Sequence, residues 1–134
     1  MAYNGYLIKV GNYTIPHKYI KAETYQALYS TIDLDSTRLA NGTLNREVLE
    51  HHVGKVEFET IPLMDNEQLN DLLSNVRNNY TNALEKKANV TFYVPEYDTY
   101  YTQEMYVPDI TFTMYFADNS KVQYEPVRIA FIGY

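Results

Sequence analysis

Apolar and polar residues alternate along much of this chain, and that alternation predicts β-strands. The clearest example is Lys55–Ile61, where Val56 and Phe58 share one face while Glu57 and Glu59 share the other. Successive side chains of a strand point to opposite faces, so this segment predicts a strand with one face buried and one face in water.

The same period of two recurs before and after this strand. A Gly11-Asn12 dipeptide between two β-prone runs predicts a small hairpin, while the acidic, tyrosine-rich residues 96–104 predict a loop. The further predicted strands are Tyr6–Val10, Tyr13–Ile15, Ala27–Ile32, Asn89–Val94, Met105–Val107, Ile110–Phe116, Lys121–Glu125 and Val127–Ile132.

One segment has the period of a helix. Asp65 is placed to cap the first turn, and Gln68 three residues later completes a capping-box pattern. The apolar positions that follow predict a helix reaching to Lys86 and Lys87, packed on a sheet; they are Leu69, Leu72, Leu73, Val76, Tyr80 and Leu84. The predicted fold class is therefore α+β, mainly β: an antiparallel sandwich or barrel with one packed helix, forming a single domain over residues 1–134.

Residues 33–54 do not fit this simple alternation. The segment has a strong turn dipeptide, Asn41-Gly42, yet it looks too long and too polar for a tight hairpin and too apolar for a flexible linker. We expect an extended arm that contacts a neighbouring subunit through Asp33, Asp35, Arg38 and Arg46.

Composition narrows the function classes. A net charge of −6 argues against a nucleic-acid binder, although it would suit a wall along which DNA slides. The absence of cysteine excludes disulfides and thiolate metal sites. The chain shows neither a signal peptide nor an apolar run of about 20 residues, so we expect no membrane association and synthesis in a cytoplasm.

Candidate chemistry is sparse. Asp33-Leu34-Asp35-Ser36-Thr37 matches the D-x-D-x-[TV] string of aspartyl phosphotransferases, but that chemistry needs the end of a buried parallel strand. The simpler interpretation is that the two aspartates form hydrogen bonds within a turn or ion pairs with Arg38 or Arg46. Adjacent His51 and His52 would point to opposite faces of a strand, so no metal site is expected, and no cofactor motif is present.

The tyrosines of residues 96–106 leave an alternative open. Tyr97, Tyr100, Tyr101 and Tyr106 could recognise a host glycan or receptor, although tryptophan, the usual sugar platform, is missing. A subunit contact made by Tyr97, Tyr100 and Tyr101 is the simpler interpretation.

Taken together, these features resemble tail proteins of double-stranded DNA bacteriophages and their prophages, in particular a small family with the tail-tube fold. The resemblance rests on Asp33–Arg38, Asn41-Gly42, Arg46, the strand Lys55–Ile61, the helix from Asp65, and the strands Asn89–Val94 and Val107–Phe116. Glu104–Asp109 departs from the family's Tyr-Val-Gly-Asp-Arg-like run, with Pro108 where glycine would stand.

The resemblance implies a non-catalytic, virion-tail subunit made in the cytoplasm of a bacterial host. It further implies a ring of copies, six in number, around a channel through which DNA passes without specific binding. The partners would be copies of this chain and neighbouring tail or baseplate proteins, with the ring in the tube or at the tube–baseplate junction.

Overall fold

The computed structural model describes residues 3–31, 33–48 and 50–134, and for residues 33–36 it describes the backbone alone. Over these described residues there are twelve β-strands, one α-helix and a short 3-10 helix at His17–Tyr19. The strands are β1 Ile8–Val10, β2 Tyr13–Thr14, β3 Ile20–Ser30, β4 Asp33–Arg38, β5 Leu44–Val48, β6 Val53–Thr60, β7 Met64–Asp65, β8 Lys87–Val94, β9 Thr99–Tyr106, β10 Met114–Ala117, β11 Val122–Tyr124 and β12 Arg128–Gly133, and the helix α1 is Asn66–Asn78.

The strands form three antiparallel sheets. The main sheet has seven strands in the order β2-β1-β8-β9-β12-β6-β3, a second has the order β10-β11-β7, and the third contains β4 and β5 alone. This architecture confirms the predicted fold class, mainly β with one packed helix. It also confirms the hairpin around Gly11, whose backbone has a φ of +57°.

The main sheet curls around the core. Tyr25 of β3, the last strand, donates a hydrogen bond to the carbonyl oxygen of Tyr93 in β8 at 2.6 Å, so the edge of the sheet returns to its centre. Inside this curl β6 buries Val56, Phe58 and Thr60, as its alternation predicts. The core continues under α1 and includes Ile8, Leu72, Val90, Phe92, Met105, Ile129 and Phe131.

Helix α1 begins as predicted but ends early. Asp65 accepts the backbone N–H of Gln68 at 2.8 Å, and the Gln68 side chain accepts the backbone N–H of Asp65 at 3.3 Å. The prediction that the helix continues to Lys87 was wrong: it ends at Asn78, and Leu84 is 96% exposed. The side chain of Asn82 accepts the N–H groups of Leu84 and Glu85, and asparagine turns of this kind compete with helix.

Two strands are longer than predicted. The loop expected at residues 96–104 is confined to a turn at residues 95–98, and β9 pairs with β8 from Val94↔Thr99 to Lys87↔Tyr106. Strand β3 begins at Ile20 instead of Ala27 and contains an irregularity between Lys21 and Gln26. Both segments are rich in polar residues, so their sequence pattern did not predict strands. They are strands because they pair with β6 and β8.

The predicted strand Ile110–Phe116 was mostly wrong. Only Met114–Ala117 forms a strand, and the residues from Val107 to Thr113 lie outside any sheet. Pro108 has no N–H to donate, so it breaks the ladder just after β9. The apolar side chains expected to pack on the core are instead exposed by 42–58% at Phe112, Met114 and Phe116.

Candidate assembly surfaces

Residues 33–48 form a two-stranded antiparallel hairpin, which we call the arm. Thr37 of β4 lies opposite Asn45 of β5, and Arg38 lies opposite Leu44. Our expectation that this segment is too polar for a hairpin was wrong. The turn signal Asn41-Gly42 closes it, since Gly42 has a φ of +89°, which glycine adopts without strain.

The arm is uncovered by the rest of the chain. Every described side chain from Thr37 to Val48 is exposed, including Leu39 at 53%, Leu44 at 42% and Val48 at 46%. A two-stranded hairpin is marginally stable on its own in water. The exposed apolar side chains therefore make the arm a candidate for contact with another molecule.

The four charged residues predicted for subunit contact all lie in the arm. Arg38 donates a hydrogen bond to the Gly42 carbonyl oxygen at 3.0 Å, so it holds the turn. Arg46 lies opposite Ser36 in the register, and Asp35 lies opposite Glu47. The side chains of Asp33 and Asp35 fall outside the part of the chain that the structure describes.

The base of the arm is tied to the main sheet by a side chain that sequence reasoning missed. Gln103 of β9 accepts the backbone N–H of Gly54 at 2.8 Å and donates to the carbonyl oxygen of His52 at 2.8 Å. Beside it the Tyr29 ring stacks between Tyr101, with centroids 4.0 Å apart, and His52, at 4.9 Å. No local pattern marks Gln103, because its partners are about fifty residues away.

The three tyrosines predicted as contact residues divide into two groups. Tyr100 stacks on Tyr6 with centroids 4.6 Å apart and donates its hydroxyl proton to the Tyr6 carbonyl oxygen at 2.6 Å. Tyr101 is partly buried in its stack with Tyr29. Tyr97, on the turn before β9, meets the Tyr101 ring edge to face with centroids 6.0 Å apart and is the most exposed of the three at 49%.

A largely apolar groove lies between α1 and the segment after β9. It has a volume of about 480 Å³, and its apolar lining includes Leu73, Tyr80, Ile110 and Phe112. Of the four helix residues predicted to pack on the sheet, Leu69, Leu72 and Val76 are buried, while Leu73 is partly buried and lines the groove. The alternation at Ile110 and Phe112 identified two apolar positions, but it predicted that they lie in the core and not in a groove.

The polar face of the main sheet does not share the acidity of the whole chain. The register places Lys9, Lys21, Lys55, Lys87 and Arg128 on this face together with Glu57, Glu59 and Glu104, and Glu23 lies beside them, 3.9 Å from Lys21. Lys87 pairs with Glu104 at 2.7 Å, and Arg128 pairs with Glu57. The acid excess behind the net charge of −6 therefore lies on other surfaces.

The candidate chemical groups do not converge. His52 stacks on Tyr29, whereas His51 lies 2.6 Å from the Tyr134 carbonyl oxygen. Within the described ranges, no group of three or more potential ligand side chains is placed to hold a metal ion. The D-x-D-x-[TV] string lies on β4 of an antiparallel hairpin rather than at the end of a parallel strand.

Over the same described ranges, no helix is long and apolar enough to cross a bilayer.

The fold and the projecting arm define a small antiparallel β-protein with one capped helix and an uncovered hairpin. The chain belongs to a family of unknown function, DUF6711, whose model matches residues 1–134. A search of curated proteins gave no match.

Two solved structures have a similar fold. One is described as the tail of an empty GTA particle computed with helical refinement and C6 symmetry; it has a TM-score of 0.49 and 15% identity, covering 99% of this chain and 96% of that chain. The other is the virion of a native gene transfer agent (GTA) particle, with a TM-score of 0.48 and 14% identity, covering 98% of each chain.

Proposed function

We propose that this protein is a non-catalytic structural subunit of a bacteriophage tail or a related particle. Copies of it, six in number, form a ring around the channel for DNA, as a tail-tube ring or as an adaptor between tube and baseplate. The two similar chains come from a tail and a virion, and we extend that setting to this chain.

The observation that carries the proposal is the uncovered arm. Its exposed side chains at Leu39, Leu44 and Val48 have no place in the chain's own core. A hairpin that projects with apolar residues in water gains stability when a neighbour covers it. A ring of identical subunits supplies that neighbour at every position.

The polar face of the main sheet supports a place beside a channel. In such a ring the apolar face is already occupied by the core, so the polar face with Lys55, Glu57 and Glu59 is the one left for water and DNA. Its cations and carboxylates are close to balanced and partly paired, which disfavours both tight binding and strong repulsion of DNA. DNA would therefore pass without being held at a specific sequence.

Removal of the arm tests the proposal. Ser30 and Val53 are directly opposed partners at the ends of β3 and β6, so a short Gly-Ser linker can replace residues 33–50 without separating those strands. We expect the shortened protein to keep its far-ultraviolet circular dichroism and to lose concentration-dependent association in sedimentation velocity. Association equal to that of the intact protein would contradict the proposal.

A further inference from the structure

Near the base of the arm, β6 keeps its pairing with β3 on one side and loses its pairing with β12 on the other. Strand β12 pairs with β6 from Arg128↔Glu59 to Ile132↔Lys55, and the pairing ends there. The next backbone groups toward the arm on this side belong to Gly54, in β6, and to His52, the residue just before β6. These are the groups that the Gln103 side chain bonds.

The Gln103 amide acts as a short substitute for a neighbouring strand. Its oxygen accepts the Gly54 N–H and its nitrogen donates to the His52 carbonyl, both at 2.8 Å. The N–H of one strand residue and the C=O two positions earlier point to the same side, so one amide can satisfy both. His52 and Gly54, at the base of the arm, are thereby held on their β12 side as well as by β3.

Two glycines make room for this side chain. A Cβ on Gly133 would lie 2.4 Å from Gln103 Oε1, and a Cβ on Gly54 would lie 2.9 Å from the same oxygen and 2.5 Å from the Phe92 ring. Neither glycine has a positive φ. The Gln103 amide therefore leaves no room for a side chain at Gly133, and the Phe92 ring together with the amide leaves none at Gly54.

We propose that Gln103 is a positioning residue that sets the direction of the arm, so that each subunit presents its arm already oriented for its neighbour. The inference rests on the proposed role of the arm in assembly. Preorganisation raises apparent affinity because less of the binding energy is spent on ordering the segment. An arm freed at its base would sample many directions and bind a neighbour about tenfold more weakly, in proportion to the fraction correctly oriented.

The test compares Gln103→Leu and Gln103→Glu with the intact chain. Leucine removes both hydrogen bonds, while glutamate keeps the acceptor for Gly54 and loses the donor to His52. The chain has no cysteine, so Thr43→Cys in the arm and Asn70→Cys on the exposed side of α1 carry spin labels cleanly. Pulsed electron spin resonance then gives the distribution of distances between arm and helix.

We expect a narrow distance distribution in the intact chain, a broad one with Gln103→Leu and an intermediate one with Gln103→Glu. Association should weaken in the same order. Asp65→Ala is the matched control, because it lowers stability at the helix cap, far from the arm, and should leave the distribution narrow.

An equally narrow distribution in Gln103→Leu would overturn the inference, and so would a loss of association no larger than that caused by Asp65→Ala. The distance measurement is made on single chains, so it decides the role of Gln103 even if the intact protein does not associate. Failure of the intact chain to associate would count against the proposed function alone.

Discussion

The ring of Tyr29 lies on the ring of Tyr101 with centroids 4.0 Å apart and planes 10° from parallel. The pair joins β3, at one edge of the main sheet, to β9 in its middle. It therefore closes the curl of the sheet next to the base of the arm.

A double-mutant cycle tests this closure. Tyr29→Leu and Tyr101→Leu each keep an apolar side chain but remove the stacked pair, and we expect a coupling free energy of about 0.5–1.5 kcal/mol. Urea unfolding of the single and double variants measures it. Additive effects of the two substitutions would show that the stack contributes nothing beyond burial.

The capping box at the start of α1 gives a second prediction. Asp65→Ala removes the acceptor for the Gln68 N–H, and we expect the free energy of unfolding to fall by about 1 kcal/mol. Asn70→Ala, on the exposed side of the same helix, is the control and should leave stability unchanged or slightly higher, because alanine favours helix. An equal loss in both variants would contradict a specific role of the cap.

The glycine beside the Phe92 ring gives a third prediction. Gly54→Ala places a Cβ 2.5 Å from the Phe92 ring in the core, and overpacking of this kind costs about 1–3 kcal/mol. Gly5→Ala is the comparison, because nothing lies within 4 Å of its Cβ and its cost comes only from a φ of +91°. In thermal unfolding, the midpoint temperature of Gly54→Ala should be clearly lower than that of Gly5→Ala.

Two tyrosines, Tyr19 in the core and the partly buried Tyr25, make stability depend on alkaline pH. Burial and the hydrogen bond to Asp71 raise the pKa of Tyr19 from 10.0 to about 12, and burial raises the pKa of Tyr25 further still. Below pH 10 both states hold these protons; above it the unfolded chain loses them first, so the free energy of unfolding falls as the pH rises toward 12 and beyond.

Urea unfolding at several pH values checks this alkaline loss. The variants Tyr19→Phe and Tyr25→Phe should each flatten the decline, because phenylalanine has no proton to lose. A decline of unchanged slope in both variants would assign the alkaline loss to other groups.

The arginines of the arm give a fifth prediction. Arg38 and Arg46 lie on the same face of the hairpin by its register, together with Leu44. Replacing both with glutamate should abolish association while the monomer stays folded, since the reversed charges would face the carboxylates of a neighbour. Lys18→Glu, an exposed charge outside the arm, is the control. Association of the double variant at the level of the intact chain would refute the contact.

The sequence predicts those parts of the molecule whose pattern is local. Strand β6 and the start of α1 follow from alternation and from a capping box, which depend on residues a few positions apart. Alternation alone misplaced three features. The helix ends early because of the Asn82 side-chain turn, and β9 is longer because β8 pairs with it. Phe112 is exposed because Pro108 interrupts the strand pairing before it. Gln103 could not be found from sequence, because its role exists only where β6 and β9 approach each other.

The arm has some features that the sequence predicts and others that it does not. Its turn and its charged residues were visible in the sequence, and its described side chains are exposed, while the subunit contact stays a prediction. Its pairing as a hairpin was not predicted, because few of its residues are apolar enough to signal a strand.

The most direct test of the central claim is negative-stain electron microscopy of the concentrated protein, with its mass measured by light scattering on the same sample. We predict rings or stacked tubes with a central hole, and a mass that is a multiple of the 15.7 kDa chain. A monomer that forms no rings at any concentration up to its solubility limit would contradict the account.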